Sequence, residues 1–255
     1  MPLEIVTIPC LADNYDYLIH DTASGATALV DATDAAPILA ELSRRGWNLS
    51  EIWLTHHHND HIDATEELRA ATGATVLGAG ADAHRLPPLD RAVAGGDSFT
   101  FANARVEVLD VPGHTVGHIT FHIPDAKALF SADSLMALGC GRLFEGTPAQ
   151  MWDSLNRMAA LPEDTLVYSG HEYTASNAKF ALTIEPDNAE LISRVAAIDA
   201  ARAAGKPTVP ALLSEEKATN PFLRAHLPHI KAALHMNAAS DDAVFAEIRS
   251  RKDNF

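Results

Sequence analysis

Apolar residues along this chain follow two regimes. Up to about residue 172 they come as short runs, rich in β-branched and aromatic side chains and broken by turns; beyond it they recur at helical spacing. Residues 51–55, 105–111, 127–131 and 165–168 predict buried strands. Residues 35–45, 64–72 and 149–160 predict helices, and Pro87-Pro88, Gly95-Gly96 and Pro112-Gly113 punctuate the strands. After Tyr173 the strand signal largely stops. Residues 174–183, 188–204, 225–236 and 241–252 predict helices, with breaks at Pro186 and Gly205-Lys206-Pro207. Residues 207–221 read as loop, and Ser240 or Asp241 as the cap of the last helix. The pattern alone gives an α/β part, residues 1–172, followed by an all-α part, residues 173–255.

The strand ends carry the chemistry. The first run leads into Thr55-His56-His57-His58-Asn59-Asp60-His61, four imidazoles and a carboxylate within six residues. Imidazole and carboxylate are preferred ligands for zinc and iron. The other three runs end in the same way, at Gly113-His114, Ala132-Asp133 and Gly170-His171. Strand, turn, then His or Asp, four times over, is how a site is built at one edge of a sheet. The candidate ligands are His56, His58, Asp60, His61, His114, Asp133 and His171. A catalytic zinc takes about three protein ligands, so these divide between two ions. Asp133 is the natural bridge, since a carboxylate has two oxygens and an imidazole one metal-binding lone pair. Two dications roughly 3.5–4 Å apart would share a hydroxide, the expected nucleophile. A polar loop is the alternative for the opening cluster, but it predicts no further ligands. His57 points away from its neighbours along an extended segment. His57 and His118 are expected to orient ligands rather than bind metal, and Asp31 reads equally as such a partner or as a plain loop acid.

His56-x-His58-x-Asp60-His61, His114 within Gly113-His114-Thr115-x-Gly117-His118, Asp133 and His171, in that order, resemble the metallo-β-lactamase superfamily. Five further stretches narrow the resemblance to the glyoxalase II (hydroxyacylglutathione hydrolase) family. They are Asp13-Asn14-Tyr15, the Gly139-to-Thr147 loop, Gly170-His171-Glu172-Tyr173-Thr174, Asn220-Pro221-Phe222-Leu223-Arg224 and Arg249-x-x-Lys252-Asp253. The resemblance implies an αββα metallo-β-lactamase sandwich and a small helical C-terminal domain. It implies that His56, His58 and His114 bind one metal, that Asp60, His61 and His171 bind the other, and that Asp133 bridges them. Asp60 and Asp133, with the bridging hydroxide, are then the catalytic groups. The metals are two divalent ions, zinc first, with iron or manganese as alternatives. The substrate implied is the thioester S-D-lactoylglutathione, cleaved to glutathione and D-lactate. Arg142, Phe144, Tyr173, Arg249 and Lys252 would line its peptide, with Arg249 and Lys252 on the glycine carboxylate. Arg142 stands where Lys is common and Phe144 where Tyr is common, so weaker glutathione anchoring is expected. Ala132 stands where Gly is usual, with little effect expected.

Composition limits the alternatives. The chain has 255 residues, 47% of them hydrophobic, enough for one large domain or two smaller ones. Its 19 Lys+Arg against 34 Asp+Glu give a formal charge of −15, which argues against nucleic acid and anionic membranes as partners. Two cysteines are no disulfide framework, Met1-Pro2-Leu3-Glu4 does not begin a signal peptide, and no apolar stretch reaches the roughly 20 residues that span a bilayer. A cytoplasmic monomer is the expectation. The other readings are a persulfide dioxygenase with one iron, another hydrolase of the same fold, and a non-enzymatic metal-binding module. The basic tail could also be a solvated helix end.

Overall fold

The computed structural model describes residues 3–255; Met1 and Pro2, where the expectation about a signal peptide begins, lie outside the described residues. The chain forms two compact units. One holds the residues up to Asp110 together with Gly117–Phe130; the other holds Val111–Val116 and Ser131–Phe255.

In the first unit β1 (Leu3–Cys10), β2 (Asn14–Asp21), β3 (Ala26–Val30), β4 (Asn48–Trp53), β5 (Thr75–Ala79) and β6 (Arg91–Val93) form a six-stranded sheet in that order. β1 to β3 pair antiparallel, β3 to β6 parallel. Parallel neighbours need crossovers: α1 (Ala35–Arg45) supplies the first, α2 (Asn59–Ile62) and α3 (Thr65–Thr72) the second. α1 starts where the Asp34 side chain accepts from the Ala36 amide and stops at Gly46, whose φ of 70° suits glycine. β7 (Ser98–Phe101), β8 (Ala104–Asp110) and β9 (Ile119–Ile123) pair antiparallel, and β10 (Ala128–Ala132) joins β9 through Ala128, Leu129 and Phe130.

Successive residues of a strand face opposite ways, and β4 uses this to join two cores. Ile52 packs with Ile38 and Leu42 of α1 and Leu68 of α3. Its neighbour Trp53, fully buried, meets Phe99 and Phe101 of β7 edge-on at 5.2 and 5.3 Å and Phe121 of β9 at 5.4 Å.

The second unit contains the hairpin β11 (Leu135–Met136) and β12 (Gly139–Cys140), then α4 (Pro148–Ala159), β13 (Leu166–Ser169), α5 (Thr174–Ile184) and α6 (Ala189–Ala203). β14 (Ala211–Leu212) pairs with β13; α7 (Leu213–Thr219), α8 (Pro228–Ala233) and α9 (Asp241–Asp253) follow. α5 and α6 share a core of Ala178, Ala181, Leu191 and Ile198 with Leu138. Asn220 ties the hairpin down, its side-chain amide donating to Met136 O and Gly139 O at 3.1 and 3.0 Å. The last helix begins after Ser240.

Three stretches depart from the sequence pattern. Residues 207–221 contain β14 and α7 rather than loop alone. The helix expected over 225–236 is only Pro228–Ala233, since Pro228 sits in its first turn. β2 is buried at every position, Asp16, His20 and Asp21 included, so it lacks the alternation that marks a half-exposed strand. Trp53→Ala should destabilise the protein by about 3–5 kcal/mol through lost burial and a cavity, seen as a lower urea midpoint at unchanged slope.

Candidate metal centre

Four of the seven candidate ligands belong to the first unit, directly after β4. Asp31, at the end of β3, fixes the start of their segment. Its carboxylate accepts from the Thr55 amide and the Thr55 hydroxyl, both at 2.9 Å, and lies 2.9 Å from His61 Nδ1. Asp31 holds a left-handed φ of 59°, sparsely populated but tolerated by aspartate. It is therefore tied to Thr55 and to candidate ligand His61 and is not a plain loop residue. The imidazoles gather closely: His56 lies 4.8 Å from His58 and 4.3 Å from His61 between ring centroids. Donor atoms of Asp31, His56 and His61 all lie within 4.8 Å of one another. Asp60 is held twice by Asn14, whose amide donates to its main-chain oxygen and to its Oδ2, both at 3.1 Å. His57 turns aside to Asp82, 3.3 Å away, and His118 stacks on His56 at 4.6 Å.

Proton counting shows which ring nitrogens are available. The Thr55 hydroxyl gives its proton to Asp31, so it accepts from His56 Nδ1 at 3.0 Å. A neutral His56 therefore has its lone pair on Nε2, 3.2 Å from His58 Nδ1.

The other three ligands belong to the second unit. His114 Nδ1 donates to the Arg142 carbonyl at 2.8 Å, leaving the lone pair of the neutral ring on Nε2. That nitrogen is 3.4 Å from Asp133 Oδ2, and His171 Nε2 is 3.3 Å from the same oxygen. Gly141 permits the approach: a Cβ there would collide with Asp133 O and come within 2.8 Å of His114 Nδ1. The donor set suits a divalent cation, because a ring lone pair facing a carboxylate oxygen repels unless positive charge lies between them.

The candidate substrate residues all lie in the second unit. Arg142 and Phe144 are exposed, Phe144 edge-on to His114 at 5.3 Å, and Tyr173 stacks on His171 at 4.6 Å. Arg249 and Lys252 share α9. Arg249 is buried, its guanidinium donating to Cys140 O at 2.9 Å and to Asp253 Oδ1 at 2.9 and 3.1 Å over the Phe222 ring. It is no solvated helix end. Lys252 donates to Ser176 Oγ at 3.1 Å. Burial, with Arg249 and Arg142 nearby, lowers its ammonium below the usual lysine range, against Asp253. Asp253 also lies 3.8 Å from Arg142 Nε. Asn14 and Asp253 stand within sequence motifs, but their partners are visible only in the structure. The i, i+4 spacing of Arg249 and Asp253 was the available signal.

Comparison with known proteins agrees with this organisation. Residues 14–171 match the family model described as metallo-beta-lactamase superfamily, and residues 172–255 the one described as hydroxyacylglutathione hydrolase C-terminus. The chain is 68% identical over 255 residues to a hydroxyacylglutathione hydrolase of Ruegeria pomeroyi, covering 100% of both chains. It is 64% identical, with the same coverage, to one from Roseobacter denitrificans. The crystal structure of ETHE1 from Myxococcus xanthus aligns at a TM-score of 0.66 and 25% identity, over 99% of this chain and 98% of that one. The expected fold class is borne out: a metallo-β-lactamase fold followed by a helical C-terminal region.

Because Asp31 orients both Thr55 and His61, Asp31→Ala should weaken metal affinity by about 10–100-fold, measured by chelator competition on the purified protein.

Proposed function

The chain belongs to the hydroxyacylglutathione hydrolase family, and on that premise we propose that it hydrolyses S-D-lactoylglutathione and related 2-hydroxyacylglutathiones to glutathione and the free 2-hydroxy acid. It is a thioester hydrolase, and its His and Asp clusters form a divalent-metal site. The observation that carries the substrate reading is the match to the hydrolase C-terminus over residues 172–255, the part that contains Tyr173, Arg249 and Lys252.

In this reading His56, His58 and His114 would hold one ion, Asp60, His61 and His171 the other, and Asp133 would serve both. When bound, such ions bring the pKa of water down to about 7 and polarise a thioester carbonyl. The chain's own residues do the rest. Asp31, Thr55 and the Arg142 carbonyl fix the tautomers of His61, His56 and His114, so their Nε2 atoms face the centre. The carboxylates of Asp60 and Asp133 balance the positive charge of the site. Arg142, Phe144 and Tyr173 line the peptide, with Arg249 and Lys252 on its glycine carboxylate. Water oxygen, giving up a proton to solvent, bonds to the carbonyl carbon, the carbon–sulfur bond breaks, and the sulfur departs as thiolate, which takes up a proton from solvent to give glutathione. A thiol pKa of about 8.5 makes it a good leaving group without a strong acid. The division of labour is proposed to fall near residue 172, with catalysis before it and, Arg142 and Phe144 apart, substrate binding after it.

Zinc is the ion we assign first, from the imidazole and carboxylate donors, although such a set also takes iron or manganese. A cytoplasmic, monomeric working form completes the proposal. Both cysteines are unbridged and buried, as suits a reducing compartment. Among the described residues no helix is long and apolar enough to cross a membrane.

The test is turnover of S-D-lactoylglutathione with metal counted on the same sample. Two metals per chain with turnover support the reading. Two metals without turnover would force a different substrate, and one iron with oxygen consumption would sink the hydrolase. Asp133→Ala should abolish hydrolysis, whereas full residual activity would rule out a dinuclear mechanism. Phe144→Tyr should lower KM with little change in kcat by restoring a hydroxyl contact to the peptide; an unchanged KM would refute weaker anchoring.

A further inference from the structure

The buried surroundings of Asp60 contain one carboxyl that the mechanism above does not use. Asp16, in β2, is fully buried. Its Oδ1 lies 2.7 Å from the Thr33 hydroxyl, and that hydroxyl lies 2.7 Å from the main-chain oxygen of Asp60. A threonine hydroxyl has one proton. The Asp60 carbonyl only accepts, so the Thr33 proton goes there. An ionised Asp16 could also only accept, which would leave two oxygens 2.7 Å apart with no proton between them. We propose that Asp16 is a neutral carboxylic acid whose Oδ1–H donates to Thr33, which in turn donates to Asp60, making Asp16 and Thr33 positioning residues for that ligand.

The other contacts of Asp16 fix where the proton sits. Its Oδ2 accepts from the Thr33 amide at 2.9 Å and from the Cys10 thiol at 3.3 Å, so Oδ1 is the protonated oxygen. The charged surroundings point the same way. Burial pushes the carboxyl from an ordinary 3.8 up to about 7, against its hydrogen bonding with Thr33; Asp31 adds to the rise and His61 opposes it. Cys10 stays a thiol, raised by burial and by Asp16, with Asp34 also acting on it. Thr33 belongs to a segment already fastened to the ligand loop: Ala32 N donates to His61 O at 2.8 Å, and Ala64 N to Ala32 O at 2.9 Å.

The importance of Asp60 rests on the dinuclear reading, but the protonation of Asp16 does not. The test uses the full-length chain. The side-chain carbon-13 shift of Asp16 is followed against pH in metal-free protein, and melting and zinc–chelator competition are measured for Asp16→Asn, Thr33→Val and Thr33→Ser. Asn keeps a donor toward Thr33, so Asp16→Asn should retain zinc affinity. The sign of its pH effect follows from linkage. Unfolded Asp16 loses its proton above about 3.8 whereas the folded group keeps it to about 7, so the native state binds more protons and wild-type stability falls across that window. The melting temperature of Asp16→Asn should therefore rise relative to wild type from acid to neutral pH. Thr33→Val should weaken zinc by about tenfold or more, and Thr33→Ser should restore it. An ionised carboxyl shift at pH 6, or loss of zinc affinity in Asp16→Asn equal to that in Thr33→Val, would overturn the proposal. The shift is read without metal or substrate, so a failed hydrolase assay cannot imitate either result.

Discussion

A lone pair aimed at a carboxylate oxygen is an arrangement a protein cannot leave uncompensated. His114 Nε2 and His171 Nε2 stand 3.4 and 3.3 Å from the same oxygen of Asp133, all three residues buried. The proton that could relieve the His114 contact is committed elsewhere, on Nδ1, by the Arg142 carbonyl. Positive charge, on a bound cation or on the ring itself, is the remaining remedy. The surrounding structure serves this demand: strand ends place the rings, and hydrogen bonds from behind fix their tautomers. Close packing at glycines removes the freedom to relax. Gly141 leaves no room for a Cβ, and one on Gly113 would approach the Met151 side chain at 2.8 Å.

The main chain is shaped by the same requirement. Asp31 and Ala132, each beside a ligand or its partner, both have left-handed φ, at 59° and 42°. Aspartate tolerates this conformation, but alanine has a Cβ to accommodate and costs about 1–2 kcal/mol there. This is why glycine suits the position before Asp133. The expectation of little effect considered the added methyl and not the backbone it must accept. Such strain persists only where packing over-determines it. Ala132 is fully inside the fold, its carbonyl accepting from Gly170 N at 3.1 Å.

Legibility in the sequence followed local signals. The four strand–turn–ligand units could be read because each carries an apolar run, a turn and a donor within a few residues. α1 was readable from its periodicity, and Asp34 and Gly46 fix its ends in the structure. What escaped was decided by partners distant in sequence. β2 buries Asp16, His20 and Asp21, so its polarity conceals a strand. The role of Asn14 depends on Asp60, 46 residues away, and Asp82 draws His57 aside across 25 residues. No periodicity reports such pairings. The residues 207–221 were misjudged because two-residue β14 is held by pairing with β13 rather than by its own sequence.

On the proposed reading, an acidic protein receives an acidic peptide at its tail. With a formal charge of −15, long-range attraction is unavailable, so recognition depends on cations whose geometry is set beforehand. Arg249 is the clearest case: buried, stacked over Phe222 and donating to Cys140 O and Asp253, it is a fixed part of α9 before any ligand arrives. Asp253 spends charge on Arg249 and also faces exposed Arg142. An incoming carboxylate would therefore exchange with Asp253 rather than meet bare cations. Exchange of one carboxylate for another costs little electrostatically, and it spares the unliganded protein an uncompensated buried charge. Affinity would then depend on aromatic contacts, Tyr173 and Phe144 among them, more than on net charge.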